Sequence, residues 1–529
     1  GAKPFALYEP PAPFGLPGAR PTARVTLGVS VLEVRDDGVV IEEILRDDAE
    51  PWRELPTALA PSAPPNAGAQ KGAIAEWAHD LVRTLPDWPR NPAADVLRRM
   101  PPRTRSGALP TGADPVASVT DALLDLDDSY LAVQGPPGTG KTFVGSHVIA
   151  RLVAEHRWRI GVVAQSHAVV EHLLGRIVEA GLDADLVAKA PKDPDAPEPP
   201  FTPIAKNGVG EYTRAHEASG YVVGGTAWDF ANLGRFGRRS LDLLVIDEAG
   251  QFSLASTIAV GVAARNLLLL GDPQQLPQVS QGIHPEPVDG SALGWVADGH
   301  DVLPPEFGVF LAESRRMHPA VAEPVSVLSY EGALHSHASA GTRAIEGVAP
   351  GLHPVPLVHH GNATESPQEA AEVVQLVSSL LGRGFTDGAA DGAAPRPLAQ
   401  SDLIVVTPYN AQLALVRESL DAAGFPDVPV GTVDKFQGQE AAVAIVSLAA
   451  SSAAEVPRGI DFLLLKNRLN VAVSRAKVAA YLVYSPGLLD YLPYTPDGLA
   501  QLSGFIRLVG REPAAVEAGN TSQLADVVS

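Results

Sequence analysis

From Tyr130 onward the chain alternates between short, wholly apolar runs and longer stretches in which apolar residues recur every three or four positions. The runs Leu131–Val133, Ile160–Val163, Leu243–Ile246 and Leu267–Leu270 form one block, and Leu403–Val406, Ala444–Val446 and Ala480–Val483 form a second. A strand without polar alternation is buried on both faces, as in parallel sheets flanked by helices. The pattern therefore predicts an α/β fold with two tandem parallel-sheet blocks. Upstream the rhythm changes. Val25, Leu27, Val29 and Val31 share one strand face, and Asp37-Gly38 offers a turn before Val39–Ile41, so a small β module built on a hairpin is expected. Residues 51–110 scatter prolines around helical patches at Trp77–Leu85 and Ala94–Met100, the texture of a connector. Pro191–Pro203 reads as a surface insertion in the first block, and Asp387–Pro397 as a Gly/Ala-rich loop in the second.

Composition narrows the partners. The 529 residues carry 40 Lys+Arg against 61 Asp+Glu, a formal net charge of -21, which argues against a globally basic coat for nucleic acid and against retention on anionic lipid by charge. Cysteine is absent, which removes disulfides, thiol nucleophiles and Cys-ligated metals together. No apolar run reaches the ~18 residues of a membrane helix, and the N-terminus lacks the order of a signal peptide, so a soluble, cytoplasmic protein without a membrane partner is expected. The start at Gly1 rather than Met fits a piece of a longer protein.

Three segments then carry chemistry. Gly135-Pro136-Pro137-Gly138-Thr139-Gly140-Lys141-Thr142 fits the phosphate-loop pattern between an apolar run and a helix with Val144, Val148 and Leu152 on one face. Glycines let main-chain N–H groups curl around phosphate oxygens, Lys141 would reach the β and γ phosphates, and the Thr142 hydroxyl would ligate Mg²⁺. Leu243–Ile246 ends in Asp247-Glu248, a pair suited to holding Mg²⁺ (Asp247) and polarising an attacking water (Glu248). Leu267–Leu270 delivers Gly271–Pro277 to the same edge, where Gln275 would touch the γ-phosphate. Phosphoryl transfer also needs positive charge from outside the loop, for which Arg316 and Arg475 are candidates.

These segments, together with Val163–Val170, Val223–Thr226, Asp247–Gln251, Arg316–Pro319, Val406–Gln412, Gly431–Glu440 and Arg468–Lys477, stand in the order of the motifs of superfamily 1 helicases. The chain resembles that family over residues 130–485, and most of all the branch containing the nonsense-mediated-decay helicase and its DNA-processing relatives. The resemblance implies two tandem RecA-like domains, expected at 111–300 with a Pro-rich insertion at about 188–220 and at 301–495. An N-terminal accessory region with a β-barrel-like module would occupy 1–110, and a tail 496–529. It implies ATP and Mg²⁺ as cofactors and ATP-dependent translocation on single-stranded nucleic acid, DNA favoured and RNA possible, with 5′ to 3′ polarity.

Residue by residue, Lys141, Thr142, Asp247, Glu248 and Gln275 match the family's ATPase residues, and Arg316 and Arg475 its two arginine fingers. Tyr409 matches an aromatic that stacks on adenine, and Glu440 a carboxylate near the ribose and γ-phosphate. Ser166, His167, Thr226, Thr407 and Thr432 match positions facing the single strand, where hydroxyl and imidazole groups bind phosphate without reading bases. Asp114–Thr120 lacks the glutamine with which this branch reads adenine, so selection of ATP would rest on Tyr409 and main-chain contacts. Some relatives fuse the helicase to a RecB-like nuclease, and such a nuclease domain or partner would lie outside this chain. A nucleic-acid-stimulated ATPase that remodels complexes without unwinding would use the same motifs. A P-loop kinase or GTPase would need neither the second block nor the paired arginines. The loose histidine cluster of His335, His337, His353, His359 and His360 fits no zinc spacing.

Overall fold

The computed structural model describes all residues except 1–2, 15–19, 21, 36–37, 46–50, 62–66, 111, 193–196, 279–283, 389–393, 458 and 511–529. It divides into two compact units, Gly1–Gly68 and Ala69–Ser529. The first unit is a four-stranded antiparallel sheet of β1 (Phe5–Tyr8), β2 (Val25–Arg35), β3 (Gly38–Glu43) and β4 (Ala58–Ala60), in the order β3-β2-β1-β4. The expected hairpin is its β2–β3 pair, with Asp37 of the turn outside the described residues. Ala6, Tyr8, Val25 and Val29 fill its small core, against which Phe14 and Trp52 pack.

The second unit holds both parallel sheets. The first has eight strands: β5 (Tyr130–Gln134), β6 (Arg159–Val163), β7 (Val187–Lys189), β8 (Thr202–Pro203), β9 (Tyr221–Gly225), β10 (Leu241–Asp247), β11 (Ala264–Gly271) and β12 (Gly308–Phe310). Their order is β12-β5-β11-β10-β6-β9-β7-β8, and every pairing is parallel. The second sheet runs Gly351–Pro356, Ala476–Tyr484, Ala441–Ser447, Leu403–Thr407, Val430–Thr432, again all parallel. The strands of β5 and Leu403–Thr407 are buried at every position, as their unbroken apolar runs require.

Several expected boundaries move. Residues 69–110 belong with the first sheet rather than with the N-terminal unit: Ala93, Val96 and Trp77 join its core, and Arg103 ion-pairs with Asp95 beneath β5. The Pro-rich insertion adds strand β7, the edge strand β8 and a short helix, Val209–Ala215, so it extends the sheet. Strand β12 pairs with β5 (Gly308 opposite Ala132), so the first sheet takes its edge strand from beyond residue 300. The expected C-terminal tail begins as the helix Pro496–Leu508, whose Leu502, Phe505 and Leu508 bury into the second-sheet core. A chain rich in proline can still fold back here because Thr495 caps that helix and Pro496 occupies its first turn, where no N–H is needed. Among the described residues no helix is long and apolar enough to cross a membrane.

Candidate nucleotide and nucleic-acid site

Strand β5 runs directly into the phosphate loop, and Gly140, at φ +79°, starts the helix Lys141–His156. The left-handed turn is open to glycine at no steric cost, and it aims the helix N-terminus at the loop's concave side. Gly135 N–H donates to the Gly271 carbonyl (2.8 Å), so the loop's root is tied to the end of β11. Strand β10 sits on the other side of β11 and ends in Asp247, which brings the two acids opposite Lys141. Lys141 Nζ lies 2.8 Å from Glu248 Oε1 and 4.0 Å from Asp247 Oδ1. Burial alone would lower the ammonium's pKa, but Glu248 and Asp247 reverse this and raise it. Asp247 is 3% exposed, and burial, reinforced by Glu248 and opposed by Lys141, pushes its carboxyl up to about 6. Glu248 holds a left-handed φ of +54°, an uncommon conformation for a non-glycine residue, stabilised by its N–H donating to Asp247 Oδ1 at 2.9 Å.

The donor chemistry fits Mg²⁺. Two buried or half-buried hard oxygen groups, the Asp247 carboxylate and the Thr142 hydroxyl on the first helical turn, flank the loop, and a cation there would relieve the carboxylate that burial strains. Such a site leaves most of the coordination shell to water and phosphate oxygens.

Within the larger unit, the part built on the second sheet forms a second lobe beside the one built on the first, and its segment 314–316 closes onto the loop. Arg315 N–H donates to the Gly138 carbonyl (2.8 Å), and Ser314 Oγ donates to the Pro137 carbonyl (2.9 Å). Arg316 follows, with Nε 2.8 Å from Glu440 Oε2 and a guanidinium N–H donating to the Ser474 carbonyl (3.2 Å). Lys477 Nζ stands 3.3 Å from Glu440 Oε1, so Glu440 holds two cations at the cleft. Burial raises the Glu440 carboxyl, yet Arg316 and Lys477 outweigh it and leave it lowered. Arg475 is 1% exposed and donates to the carbonyls of Val471 (2.8 Å) and Gln439 (3.1 Å). Burial, and secondarily Arg316, lowers its pKa to about 9, so it remains charged at neutral pH.

Gln275 is buried and donates through Nε2 to Asp272 Oδ2 (3.0 Å). Asp272 also accepts from the Gln274 N–H (3.1 Å), Gln134 Nε2 (3.3 Å) and the Tyr330 hydroxyl (2.7 Å). Asn470 donates both to that hydroxyl (2.8 Å) and to the Gln274 carbonyl (2.7 Å). The turn carrying Gln275 is thereby clasped by the lobe that carries Arg316 and Arg475.

Comparison with known proteins agrees with this layout. Two AAA-domain family models match in tandem, one over residues 117–286 and the other over 299–486. The regulator of nonsense transcripts 1 of Dictyostelium discoideum is 24% identical over 84% of this chain and 36% of its own length. The Arabidopsis thaliana DNA replication ATP-dependent helicase/nuclease JHS1 is 24% identical over 69% of the chain and 28% of its own length. For the Saccharomyces cerevisiae ATP-dependent helicase NAM7 the figures are 26%, 67% and 40%. These matches support a superfamily 1 helicase of the kind these relatives represent. The chain spans about a third of the length of these relatives. Among solved structures, the arterivirus nonstructural protein 10 helicase with DNA aligns over 89% of this chain and 74% of its own at 15% identity and a TM-score of 0.40, too distant a likeness to carry an argument.

The residues expected at the single strand divide into two groups. Ser166 is exposed and caps the helix His167–Glu179 by accepting from Val169 N–H (3.3 Å); Thr226 directly follows β9, and Thr432 ends its strand in the second sheet. All stand at the C-terminal ends of parallel strands, where open α/β sheets collect ligands. The Thr226 hydroxyl donates to Asp229 (2.8 Å) in a capping box. His167 is half-buried, and burial, with Lys189 nearby, lowers its pKa. Thr407 differs: it is wholly buried, and its hydroxyl donates to the Tyr409 carbonyl (3.2 Å), so its side chain reaches no surface. Tyr409 is 9% exposed and packs in the second-lobe core with its ring 5.9 Å from Phe462.

Other members of the site were not singled out by the sequence pattern. Tyr330 follows the helix Pro319–Ser329 and Asn470 lies in the segment Arg468–Lys477, and only the fold sets the Tyr330 hydroxyl on Asp272 and Asn470 on that hydroxyl. Gln251 Nε2 donates to Gln437 Oε1 (3.0 Å) across the two lobes, although both residues lie in segments quoted from the sequence. His359, from the loose histidine cluster, is buried between Ser451 Oγ (2.7 Å) and Glu369 Oε1 (3.0 Å) in a polar network under the second sheet. Among the described residues there is no group of three or more His, Asp or Glu able to hold a metal ion.

Proposed function

We propose that this chain is the motor of an ATP-dependent helicase that moves along single-stranded nucleic acid, DNA in preference to RNA, and separates duplexes with 5′ to 3′ polarity. The observation that carries the reading is the seam at which the phosphate loop meets the Arg316 segment, joined by the Arg315 to Gly138 hydrogen bond at 2.8 Å, with Arg475 buried nearby. A triphosphate set into the loop would lie against the main-chain N–H groups of Gly138–Thr142, and Lys141 would exchange Glu248 for the β and γ phosphates. Thr142 and Asp247 would hold Mg²⁺, which supplies neutralisation of phosphate charge. Glu248, freed from Lys141, accepts a proton from the attacking water as the water oxygen bonds to the γ-phosphorus. The bond from that phosphorus to the bridging oxygen breaks, leaving ADP and inorganic phosphate. Arg316 and Arg475 offset charge on the transferring group, and Gln275 lies within the same turn as the Asp272 clasp and reports whether that group is present.

Because the arginines come from one lobe and the phosphate loop from the other, γ-phosphate draws the lobes together and its loss releases them. Ser166, His167, Thr226 and Thr432 would hold the strand by its backbone at the strand ends of both sheets, with Thr407 bracing the Tyr409 turn from behind. A nuclease of the kind named in the JHS1 relative would lie outside this chain.

The test is hydrolysis with and without single-stranded DNA or RNA, alongside displacement of forked duplexes bearing either overhang. Stimulated hydrolysis and displacement from a 5′ overhang are expected, and Lys141→Ala should abolish both. Stimulation without displacement on any fork would favour remodelling of complexes instead. A Lys141→Ala protein as active as the unaltered chain would sink the reading.

A further inference from the structure

We propose that the base of the bound nucleotide enters a cavity beside the phosphate loop, stacks on Phe143 and is not read at its edge, so that the motor hydrolyses purine and pyrimidine nucleoside triphosphates alike. The inference rests on the phosphate-loop reading above and adds the substrate class.

The phosphates of a nucleotide in such a loop run from the Lys141 end toward the first helical turn, so sugar and base continue past Thr142 and Phe143. A cavity of about 1230 Å³ opens there, with Thr139, Gly140 and Phe143 at its inner end, segment 101–118 as one wall and segment 303–315 as the other. Phe143 is 48% exposed on the first turn of its helix. One side of its ring is backed by His147, with ring centroids 3.9 Å apart, and the other is open. His147 is itself fixed by a hydrogen bond between Nδ1 and the Phe143 carbonyl (2.9 Å). A backed aromatic face at the edge of a polyanion site suits base stacking, which every base can satisfy.

Edge recognition needs groups that tell adenine's donor and acceptor pattern from guanine's, and the walls supply few. Among the described residues no Asn or Gln side chain lines the cavity, and the Ser118 hydroxyl on its wall is buried. Asp114 is committed to capping its own helix by accepting from the Val116 N–H (3.0 Å), and the Thr104 hydroxyl accepts from the Gly107 N–H (3.1 Å). Glu306, Glu313 and Arg315 are exposed, hydrated charges. Prolines and small apolar residues such as Pro101, Pro110 and Val116 make up much of the remainder. Tyr409, the other aromatic in question, does not line this cavity. A pocket that encloses without hydrogen-bonding separates ligands weakly, by roughly ten- to two-hundred-fold at most, whereas one built around paired polar groups separates them by about four orders of magnitude or more.

The experiment measures kcat and KM of the full chain, saturated with single-stranded DNA, for ATP, GTP, CTP and UTP, together with inhibition by tripolyphosphate. Values of kcat/KM within about tenfold of one another are expected. Phe143→Ala should raise KM for all four by roughly tenfold, Phe143→Tyr should restore it, and the inhibition constant for tripolyphosphate, which has no base, should stay unchanged in both. A preference for ATP above about two-hundred-fold over GTP and CTP overturns the proposal, as does a Phe143→Ala protein with unaltered KM values or with weakened tripolyphosphate inhibition. Absence of hydrolysis of any triphosphate by the unaltered chain would instead bring down the phosphate-loop reading, and this inference with it.

Discussion

Gly138 shows how tightly the two lobes are set against each other. Its φ is +77°, and a Cβ there would stand 2.4 Å from Arg316 Cβ and 2.6 Å from Ser314 Oγ. Gly138→Ala therefore combines a strained backbone with a steric clash that must push the Arg316 segment off the loop. Hydrolysis is expected to fall at least about tenfold, since small misplacement of positioning groups costs about that much or more, and a coupled phosphate-release assay measures it. Glu248 is the other residue whose backbone is out of the ordinary. Glu248→Gln keeps the shape but cannot take a proton from water, so kcat should drop by roughly 10²–10⁴-fold while nucleotide binding persists, as read by single-turnover and equilibrium binding measurements. Sequence alone located both residues, through the glycine pattern and the paired acids. It could not foresee that Arg475 donates to main-chain carbonyls or that Thr407 is wholly buried, because both outcomes depend on what packs above them.

The turn after β11 is the element that couples the lobes. Asp272 is buried, burial raises its pKa, and its charge is held by donors from Tyr330, Gln275, Gln274 and Gln134. Tyr330→Phe removes one of these donors and leaves Asn470 without its hydroxyl acceptor, at a cost of roughly 1–3 kcal/mol visible in urea unfolding. A second buried network braces the second sheet. Glu369 accepts from Ser447 Oγ (2.7 Å) and Ala449 N–H (2.9 Å) and faces His359. Glu369→Ala orphans several buried partners at once and should destabilise by about 3 kcal/mol or more, again by urea unfolding, with Glu369→Gln intermediate. The central strands of both sheets were legible as unbroken apolar runs. The outlying strands β7, β8, β12 and Gly351–Pro356 were not, because short segments with proline or polar residues become strands only through the neighbour they pair with.

Over the whole molecule the net charge of -21 means that affinity for a polyanion must come from a narrow strip at the strand ends. Many of the cations outside the nucleotide cleft are committed: Arg159 to Asp242, Arg238 to Glu76, Arg239 and Arg265 to Asp128. Binding of single-stranded DNA should therefore weaken with salt along a shallow line, with a log–log slope of magnitude below about 4 at roughly 0.7 per neutralised phosphate, measured by fluorescence anisotropy across a salt series. By itself the sequence determined the class of fold, the order of its chemical segments and the identity of the phosphate loop and paired acids, because these are written in local periodicity and spacing. Tertiary structure alone decided which residues meet across the cleft, that residues 69–110 and the helix Pro496–Leu508 join the larger unit, and that a half-exposed aromatic ring stands beside the loop. Each of these depends on contacts between segments far apart in the chain, whose free energy no local pattern records.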